Sequence, residues 1–276
     1  MKNPPKFTRQ LKPRYASLVV GWSMDASSLG AKVTDYLNRK LGCQSFGEIE
    51  SVEFFPFGGV TVKDDLVQFP ESKFFACPKN DLLVFSSDPP SYEWYKFLNL
   101  ILDTAEHYCR VKELHTVGGM VSLSAHTAPR KLLGTFNSPE LKEALSQYNL
   151  AGELDYETPP SHRPTLSSFL LWVAKKRNIP GVNLWVPIPF YLVTLDDPKA
   201  QRRILEFFNQ RFNLGINLSD LDEEIRRQNQ IIAEIRNNLP DIDESIGRLE
   251  SNLRLPEEES QRLIKEIEKF LKEKRG

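Results

Sequence analysis

The sequence predicts an α/β layer fold with an all-helical C-terminal extension. Up to about residue 217, short β-type runs alternate with segments of helical periodicity. Several of these runs are apolar throughout, as is typical of strands covered by helices on both faces. From residue 220 onward, apolar residues recur every three or four positions among charged ones. We therefore expect a basic N-terminal arm over 1–14, an α/β core domain over 15–217 and a helical extension over 218–276.

The β-type and helical patterns follow one another along the expected core domain. β-branched and apolar runs predict strands at 17–20, 47–55, 59–62, 81–86, 113–117 and 182–187. Apolar residues at helical spacing predict helices at 28–41, 92–109, 138–148, 165–177 and 198–212. Asp64 and Asp65 suit the tip of a hairpin, and Asp197 followed by Pro198 is typical of a helix start, with Asp197 as the cap.

The first predicted strand ends at Gly21, and a helix follows at once. A glycine turn between a strand and a helix can cradle phosphate, but it also begins ordinary βα units. Here the bulky Trp22 and Met24 occupy the turn, and the chain has no GxxxxGK[ST] or GxGxxG motif. We therefore interpret Asp25, with the serines after it (Ser27 and Ser28), as candidate caps of the helix rather than as phosphate ligands.

A second glycine turn makes a better candidate for a ligand pocket. Gly118 and Gly119 follow the predicted strand at 113–117, at the carboxyl edge where α/β sheets usually bind ligands. His126 and Arg130 follow in a polar loop and could meet an anion together with the glycine N–H groups. The alternatives are a tight glycine turn and a histidine that only fixes its loop.

The C-terminal extension is predicted to form three amphipathic helices. Pro240 should end the first, with Asp241 or a neighbour capping the second, and a third is expected at 257–274. Charged helices of this kind are marginal alone in water, so something must cover their apolar stripe. Either the stripe packs on the core domain, or it contacts another subunit or partner. The candidate interaction residues are Leu221, Ile225, Ile232, Ile235, Leu239, Ile242, Ile246 and Leu249.

The composition excludes several classes of partner. The 276 residues are 40% hydrophobic and 26% charged, as in ordinary globular proteins, and the formal net charge is -1. We therefore expect neither nucleic acid nor an anionic membrane as a partner. No apolar run approaches the roughly 18 residues of a membrane span, and the cysteine pattern favours reduced thiols, so we expect a soluble, cytoplasmic protein.

Cysteine and histidine usage predicts no metal and no cofactor. The cysteines are odd in number and lack metal-type spacing, which favours reduced, mostly buried thiols: Cys43, Cys77 and Cys109. The histidines show no HxxxH or HxH spacing and no adjacent carboxylate: His107, His115, His126 and His162. No GxSxG elbow appears, so no catalytic residue is assigned.

Short segments spread over most of the chain resemble one known family in their order and spacing. They are Gly21-Trp22, Asp25-Ala26, Gly30-Ala31, Asp35-Tyr36-Leu37, Asp81-Leu82-Leu83-Val84, Pro89-Pro90 to Trp94, Val117-Gly118-Gly119, His126-Thr127 with Pro129, Leu184-Trp185-Val186-Pro187, and Asp197-Pro198 with Ala200. Over about 15–253 the sequence resembles the proteasome assembly chaperone 2 family. It is most similar to a bacterial branch with an extra C-terminal helical segment.

The resemblance implies a three-layer αβα body similar to the nucleoside phosphorylase and hydrolase-like fold. It also implies homo-oligomers, with trimers expected in this branch. Family members that engage proteasome α-rings can end in a hydrophobic residue, a tyrosine and one further residue. The present chain ends Lys274-Arg275-Gly276, so we do not expect proteasome subunits as partners.

Two hypotheses for the function follow. The first is a non-enzymatic, homo-oligomeric interaction or assembly-chaperone-like protein that holds a protein partner through its helical extension and edge loops. The second is a hydrolase or phosphorylase-like enzyme. Its small anionic or nucleoside ligand would lie at the carboxyl edge of the sheet, beside Gly118, Gly119, His126 and Arg130.

Overall fold

The computed structural model describes residues 6–7, 17–50, 53–55, 60–152 and 162–273. The strands within them are β1 (Lys6–Phe7), β2 (Ser17–Trp22), β3 (Gln44–Glu48), β4 (Thr61–Lys63), β5 (Leu66–Gln68), β6 (Ser72–Cys77), β7 (Leu82–Ser87), β8 (Glu113–Ser122), β9 (Leu133–Phe136) and β10 (Gly181–Pro189). The helices are α1 (Leu29–Leu41), α2 (Trp94–Cys109), α3 (Pro139–Leu145), α4 (Leu166–Lys176), α5 (Pro198–Phe212), α6 (Ser219–Asn238), α7 (Pro240–Glu250) and α8 (Glu257–Glu273).

One eight-stranded sheet organises the molecule, in the order β1-β3-β6-β7-β2-β8-β10-β9. The central strands β7, β2, β8 and β10 are parallel, whereas β1, β3, β6 and β9 pair antiparallel at the two sides. Helices pack on both faces, which explains why the central strands are apolar throughout. The predicted three-layer α/β fold is confirmed.

Two apolar cores lie on opposite faces of the sheet. The tail-side core fills the space between the sheet and helices α1, α5, α6, α7 and α8. The opposite core lies under α2 and α4. Because α6 to α8 contribute buried side chains to the same core as α1 and α5, the C-terminal helices pack on the body of their own chain.

Burial in the tail-side core favours the first of the two alternatives for the apolar stripe, packing on the core domain of the same chain. Ile225 and Leu239 are half-buried, and the other candidate interaction residues are buried: Leu221, Ile232, Ile235, Ile242, Ile246 and Leu249. Only the polar outer face of these helices is left for an external partner. The division of the chain near residue 217 stays a prediction.

Helix boundaries in the extension are close to those predicted, with one correction. Helix α6 ends at Asn238, and α7 starts at Pro240, which occupies its first position. Asp241 therefore lies inside the first turn of α7 rather than at its cap. Proline suits this position because its missing N–H would have no partner there. The last predicted residue of the third helix, Lys274, lies outside the described residues.

The strand predictions missed the meander before β7. The strand expected at 47–55 begins at Gln44 and ends at Glu48. Strands β5, β6 and β9 were not predicted, and β1 lies within the expected arm. The expected strand at 59–62 is observed as Thr61–Lys63, with residue 59 outside the described part. Asp64 and Asp65 do form the hairpin tip between β4 and β5, both with positive φ.

The cysteine expectation was wrong for two of the three residues. Cys43 and Cys77 form a disulfide, with Cα atoms 4.4 Å apart, and only Cys109 is a buried free thiol. Antiparallel pairing of β3 with β6 sets Gln44 opposite Ala76, so the residues just outside this pair face each other. The sequence alone could not show that these two strands are neighbours.

Candidate functional site

The turn after β2 lies directly on strand β8 because glycines remove the side chains between them. A Cβ on Gly21 would lie 2.2 Å from the carbonyl oxygen of Gly30. One on Gly119 would lie 2.2 Å from the carbonyl oxygen of Ala26. These contacts are far shorter than van der Waals distance, so a larger residue would force the turn off the sheet. Close backbone packing therefore accounts for these glycines, and a phosphate cradle is not needed to explain them.

Asp25 holds this turn to the sheet. Its Oδ2 accepts the backbone N–H of Gly30 at 2.9 Å and that of Gly119 at 3.0 Å. Its other oxygen, Oδ1, is buried and has no hydrogen-bond partner among the described residues. Burial raises the pKa of Asp25 to about 6, although its backbone hydrogen bonds act in the opposite direction.

The predicted capping roles in this turn need correction. Ser28 occupies the N-cap position of α1, but its side chain makes no capping hydrogen bond. Ser27 and Ser28 both adopt left-handed backbone conformations, with φ of 66° and 48°. The Ser27 N–H donates to the carbonyl of Val193, and its hydroxyl donates to that of Leu195. Tertiary contacts therefore hold a strained turn in place, as is common at functional sites.

His126 is fixed in its loop by a tyrosine. Its backbone N–H donates to the hydroxyl of Tyr191 at 2.6 Å, and its Nδ1 lies 2.9 Å from the same oxygen. Burial, followed by the charge of Lys199, lowers the pKa of His126 to about 4. The imidazole is consequently neutral at pH 7, so it cannot contribute a positive charge to an anion site.

Arg130 is engaged by a buried acid. Its Nε and Nη2 lie 2.9 and 2.8 Å from Oδ2 of Asp197, and both side chains are almost completely buried. The other carboxylate oxygen accepts the N–H of Ala200 at 3.0 Å, so Asp197 caps α5 as predicted. Because Asp197 neutralises the guanidinium, Arg130 is not a free anion ligand. Asp25 and Asp197 therefore already engage Gly119 and Arg130, and a ligand pocket formed by Gly118, Gly119, His126 and Arg130 stays a prediction.

His126 instead lines a cleft of about 310 Å³ between the body and α6. The ammonium group of Lys199 donates to the His126 carbonyl at 3.0 Å, and burial lowers its pKa. Among the described residues, no carboxylate lies within 4.0 Å of Lys199. Arg236, on the far wall, pairs with Asp243 and Glu250. The lining residues are His126, Thr127, Lys199, Asn229, Ala233 and Arg236.

Sequence reasoning missed Lys199, Asn229 and Arg236 because they come from two helices that only tertiary packing brings together. The described residues contain no group of three or more histidines, cysteines or acids placed to hold a metal ion. Within the same residues, no helix combines the length and apolar character needed to cross a membrane.

Comparison with known proteins gives one matching family model and a set of related folds. The model of the PAC2 family matches residues 18–236. A Mycobacterium tuberculosis protein of unknown function has a TM-score of 0.75 at 19% identity, covering 90% of this chain and 88% of its own.

Two further solved structures with the same fold are of proteins with a described role. An archaeal proteasome activator from Pyrococcus furiosus has a TM-score of 0.68 at 18% identity, covering 84% of this chain and 98% of its own. A proteasome-assembly chaperone homologue from Mycobacterium tuberculosis has a TM-score of 0.67 at 18% identity, covering 79% and 94%. At these identities the likeness establishes the fold.

Proposed function

The chain belongs to the PAC2 family, and from this premise we propose that it is a non-enzymatic, homo-oligomeric interaction protein that acts as an assembly chaperone. The match over residues 18–236 is the observation that carries the proposal. Similar folds include a proteasome activator and a proteasome-assembly chaperone homologue. The partner we propose is accordingly a protein subunit of a larger assembly, met inside the cytoplasm.

The contacts at the carboxyl edge of the sheet favour binding over catalysis. The Asp25 carboxylate binds two backbone N–H groups, the Arg130 guanidinium binds Asp197, and His126 is a neutral ring beside Tyr191. Each of these groups stabilises the body, and a catalytic acid or base must instead reach a substrate. We propose that the edge loops and the polar outer face of α6 to α8 contact the partner.

The native mass of the full chain tests the homo-oligomer. Light scattering after size exclusion should give a mass of about three chains of 31.7 kDa. A mass of one chain at micromolar concentration would remove the homo-oligomer from the proposal. Deleting α6 to α8 is not a suitable test, because the deletion would uncover the tail-side core.

The chaperone activity needs a separate experiment. Archaeal proteasome α-subunits can be refolded with and without the full chain, and the yield of complete rings measured by native mass spectrometry. If proteasome subunits are clients in spite of the different C-terminal residues, the yield of rings should be several-fold higher or the rings should appear faster. An equal yield and rate with and without the chain would contradict a role in proteasome assembly. Capture of a different oligomeric complex from the source cells would identify that complex as the client instead.

The cleft beside Lys199 favours a second candidate, a hydrolase or phosphorylase-like enzyme. A half-buried ammonium group that forms no ion pair among the described residues, together with the amide of Asn229, could bind a small anion or a nucleoside. A thermal-shift screen with nucleosides, nucleotides and inorganic phosphate tests it. Stabilisation by one of them at about 1 mM, lost in Lys199→Met, would support this candidate.

A further inference from the structure

Strand β8 extends beyond its neighbour β2 at the carboxyl edge of the sheet. The pairing of β2 with β8 ends at Gly21 opposite Val117. The pairing of β8 with β10 continues for five more residues, to Ser122 opposite Pro189. The stretch of β8 from Gly118 to Ser122 therefore has β10 on one side and no strand on the other.

The direction of one hydrogen bond shows which backbone groups face the open side. The N–H of Gly119 points away from β10, because it donates to Asp25. In a strand, the N–H and C=O groups of alternate residues point to the same side, so those of Val121 also point away from β10. No hydrogen bond to either Val121 group is formed by the described residues. Asp25 therefore occupies the first position of an otherwise unfilled edge.

The other side of the same ribbon is blocked. Pairing with β9 ends at Trp185 opposite Leu133, so β10 also has an open side from Val186 onward. Pro187 and Pro189 lie at the alternate positions that face this side, and proline has no N–H to donate. Protection by proline is a common defence of sheet edges. The β8 side lacks this defence.

Beyond Asp25, the strand that forms the open edge is apolar and carries no charged residue. Val121 and Leu123 are 60% and 58% exposed, and Met24 beside Asp25 is 80% exposed. Residues 114–129 contain no Asp, Glu, Lys or Arg. Natural edge strands usually carry lysine or another charge that prevents pairing with other chains. A charged strand would lose hydration here without gaining a partner charge, so the edge matches an uncharged segment.

We propose that residues 119–123, with Met24, form a docking edge that takes an extended, uncharged segment of a client protein as an added β-strand. The inference rests on the proposed function, since an assembly chaperone must hold a subunit whose own strands are not yet covered. Backbone groups of Val121 would supply the hydrogen bonds, and Met24, Val121 and Leu123 would contact alternate apolar side chains of the client.

The test uses the full chain and a capped peptide of roughly eight alternating serine and valine residues. Fluorescence anisotropy should show saturable binding with a dissociation constant below about 1 mM. The same peptide, N-methylated at every residue, presents the same side chains without backbone N–H groups on either edge and should bind at least about tenfold more weakly. Binding that survives N-methylation, or no saturable binding up to that concentration, would overturn the proposal.

Matched variants locate the contact. Val121→Lys should weaken peptide binding at least about tenfold, because it places a charge on the open edge. Val67→Lys is the control, since Val67 is 57% exposed on strand β5 and lies outside the docking edge. Equal binding by both variants would overturn the assignment to β8. Hydrogen exchange at residues 119–123 should slow when the peptide is bound, and unchanged exchange there would also overturn it.

The native mass of the wild type and of Val121→Lys distinguishes failure of the docking edge from failure of the proposed homo-oligomer. If Val121→Lys lowers the native mass of the protein, a second copy occupies the edge and the client assignment is overturned. If the wild type is a monomer but binds the peptide through Val121, the homo-oligomer fails while the docking edge stands. If the wild type is an oligomer with unchanged mass in Val121→Lys and no peptide binding, only the docking edge fails.

Discussion

The carboxylate of Asp25 accepts the backbone N–H of Gly119 at 3.0 Å, although the two residues are 94 positions apart in the sequence. This contact joins the turn after the first central strand to the next strand across the sheet. It depends on the missing side chain of Gly119, because the backbone of Ala26 fills the space that a Cβ would need. The turn and the strand therefore form one structural unit at the carboxyl edge of the sheet.

Gly119→Ala should destabilise the protein by about 2–3 kcal/mol, because the new Cβ would lie 2.2 Å from the carbonyl oxygen of Ala26. Chemical denaturation would measure the change in the free energy of unfolding. Gly247→Ala is the matched control, since nothing lies within 4 Å of a Cβ there and Gly247 is inside α7. The control should stabilise by about 0.5–1 kcal/mol. Equal effects of both variants would contradict the close contact.

Asp25→Asn should change how stability depends on pH. The folded protein raises the pKa of Asp25 from 3.8 to about 6, so it binds this proton more readily than the unfolded chain does. The stabilisation from protonated Asp25 is complete below the unfolded pKa and is lost as pH rises through about 6. The melting temperature of Asp25→Asn relative to wild type should therefore increase between pH 4 and pH 7. A constant difference in melting temperature over this range would show that folding does not raise the pKa of Asp25.

His126→Asn should change the pH dependence of stability in the opposite direction from Asp25→Asn. Burial lowers the pKa of His126 to about 4, so its stabilisation is present above the unfolded value of 6.5 and is lost as pH falls through about 4. The variant should lose less stability than wild type when the pH is lowered from 7 to 4. Lys199, Glu250, Arg236 and Arg130 also face this ring, so the comparison should be made at constant ionic strength.

Arg130→Met should destabilise by about 3–5 kcal/mol, because it leaves the buried carboxylate of Asp197 without its countercharge. Arg39→Met is the control. It removes an ion pair with Asp35 that is exposed on both sides, and it should change stability by less than about 0.5 kcal/mol. Urea denaturation would measure the free energy of unfolding of both variants. A loss in Arg130→Met as small as that in Arg39→Met would contradict a buried ion pair.

Reduction should destabilise the protein by about 2–4 kcal/mol, since the bond between Cys43 and Cys77 closes a loop across 34 positions. The melting temperature would be compared with and without dithiothreitol. The double variant Cys43→Ser, Cys77→Ser should melt lower and lose its response to reductant. Thiol titration of the denatured, unreduced chain should find only Cys109; three reactive thiols would show that the bond does not form.

Much of the architecture followed from the sequence alone. Short, continuously apolar runs predicted the central parallel strands, because both faces of such strands are buried. Apolar residues with a period of 3.6 predicted the helices, because burial of one helix face imposes that spacing. Local rules also sufficed for the cap at Asp197, the hairpin tip at Asp64 and Asp65, and the helix break at Pro240, since each depends on neighbouring residues.

Features that depend on contacts between distant segments were visible only in the tertiary structure. The Cys43–Cys77 bond depends on the pairing of β3 with β6. The apolar stripe of the C-terminal helices is buried because it packs into the tail-side core. The partners of Gly119 and Arg130 depended on where Asp25 and Asp197 lie in space, and the cleft beside His126 depended on the position of Lys199. Sequence patterns record which side chains must be buried, whereas the partner that buries them is set by packing between distant segments. For the same reason, the open edge beside Val121 appears only when the lengths of neighbouring strands are compared.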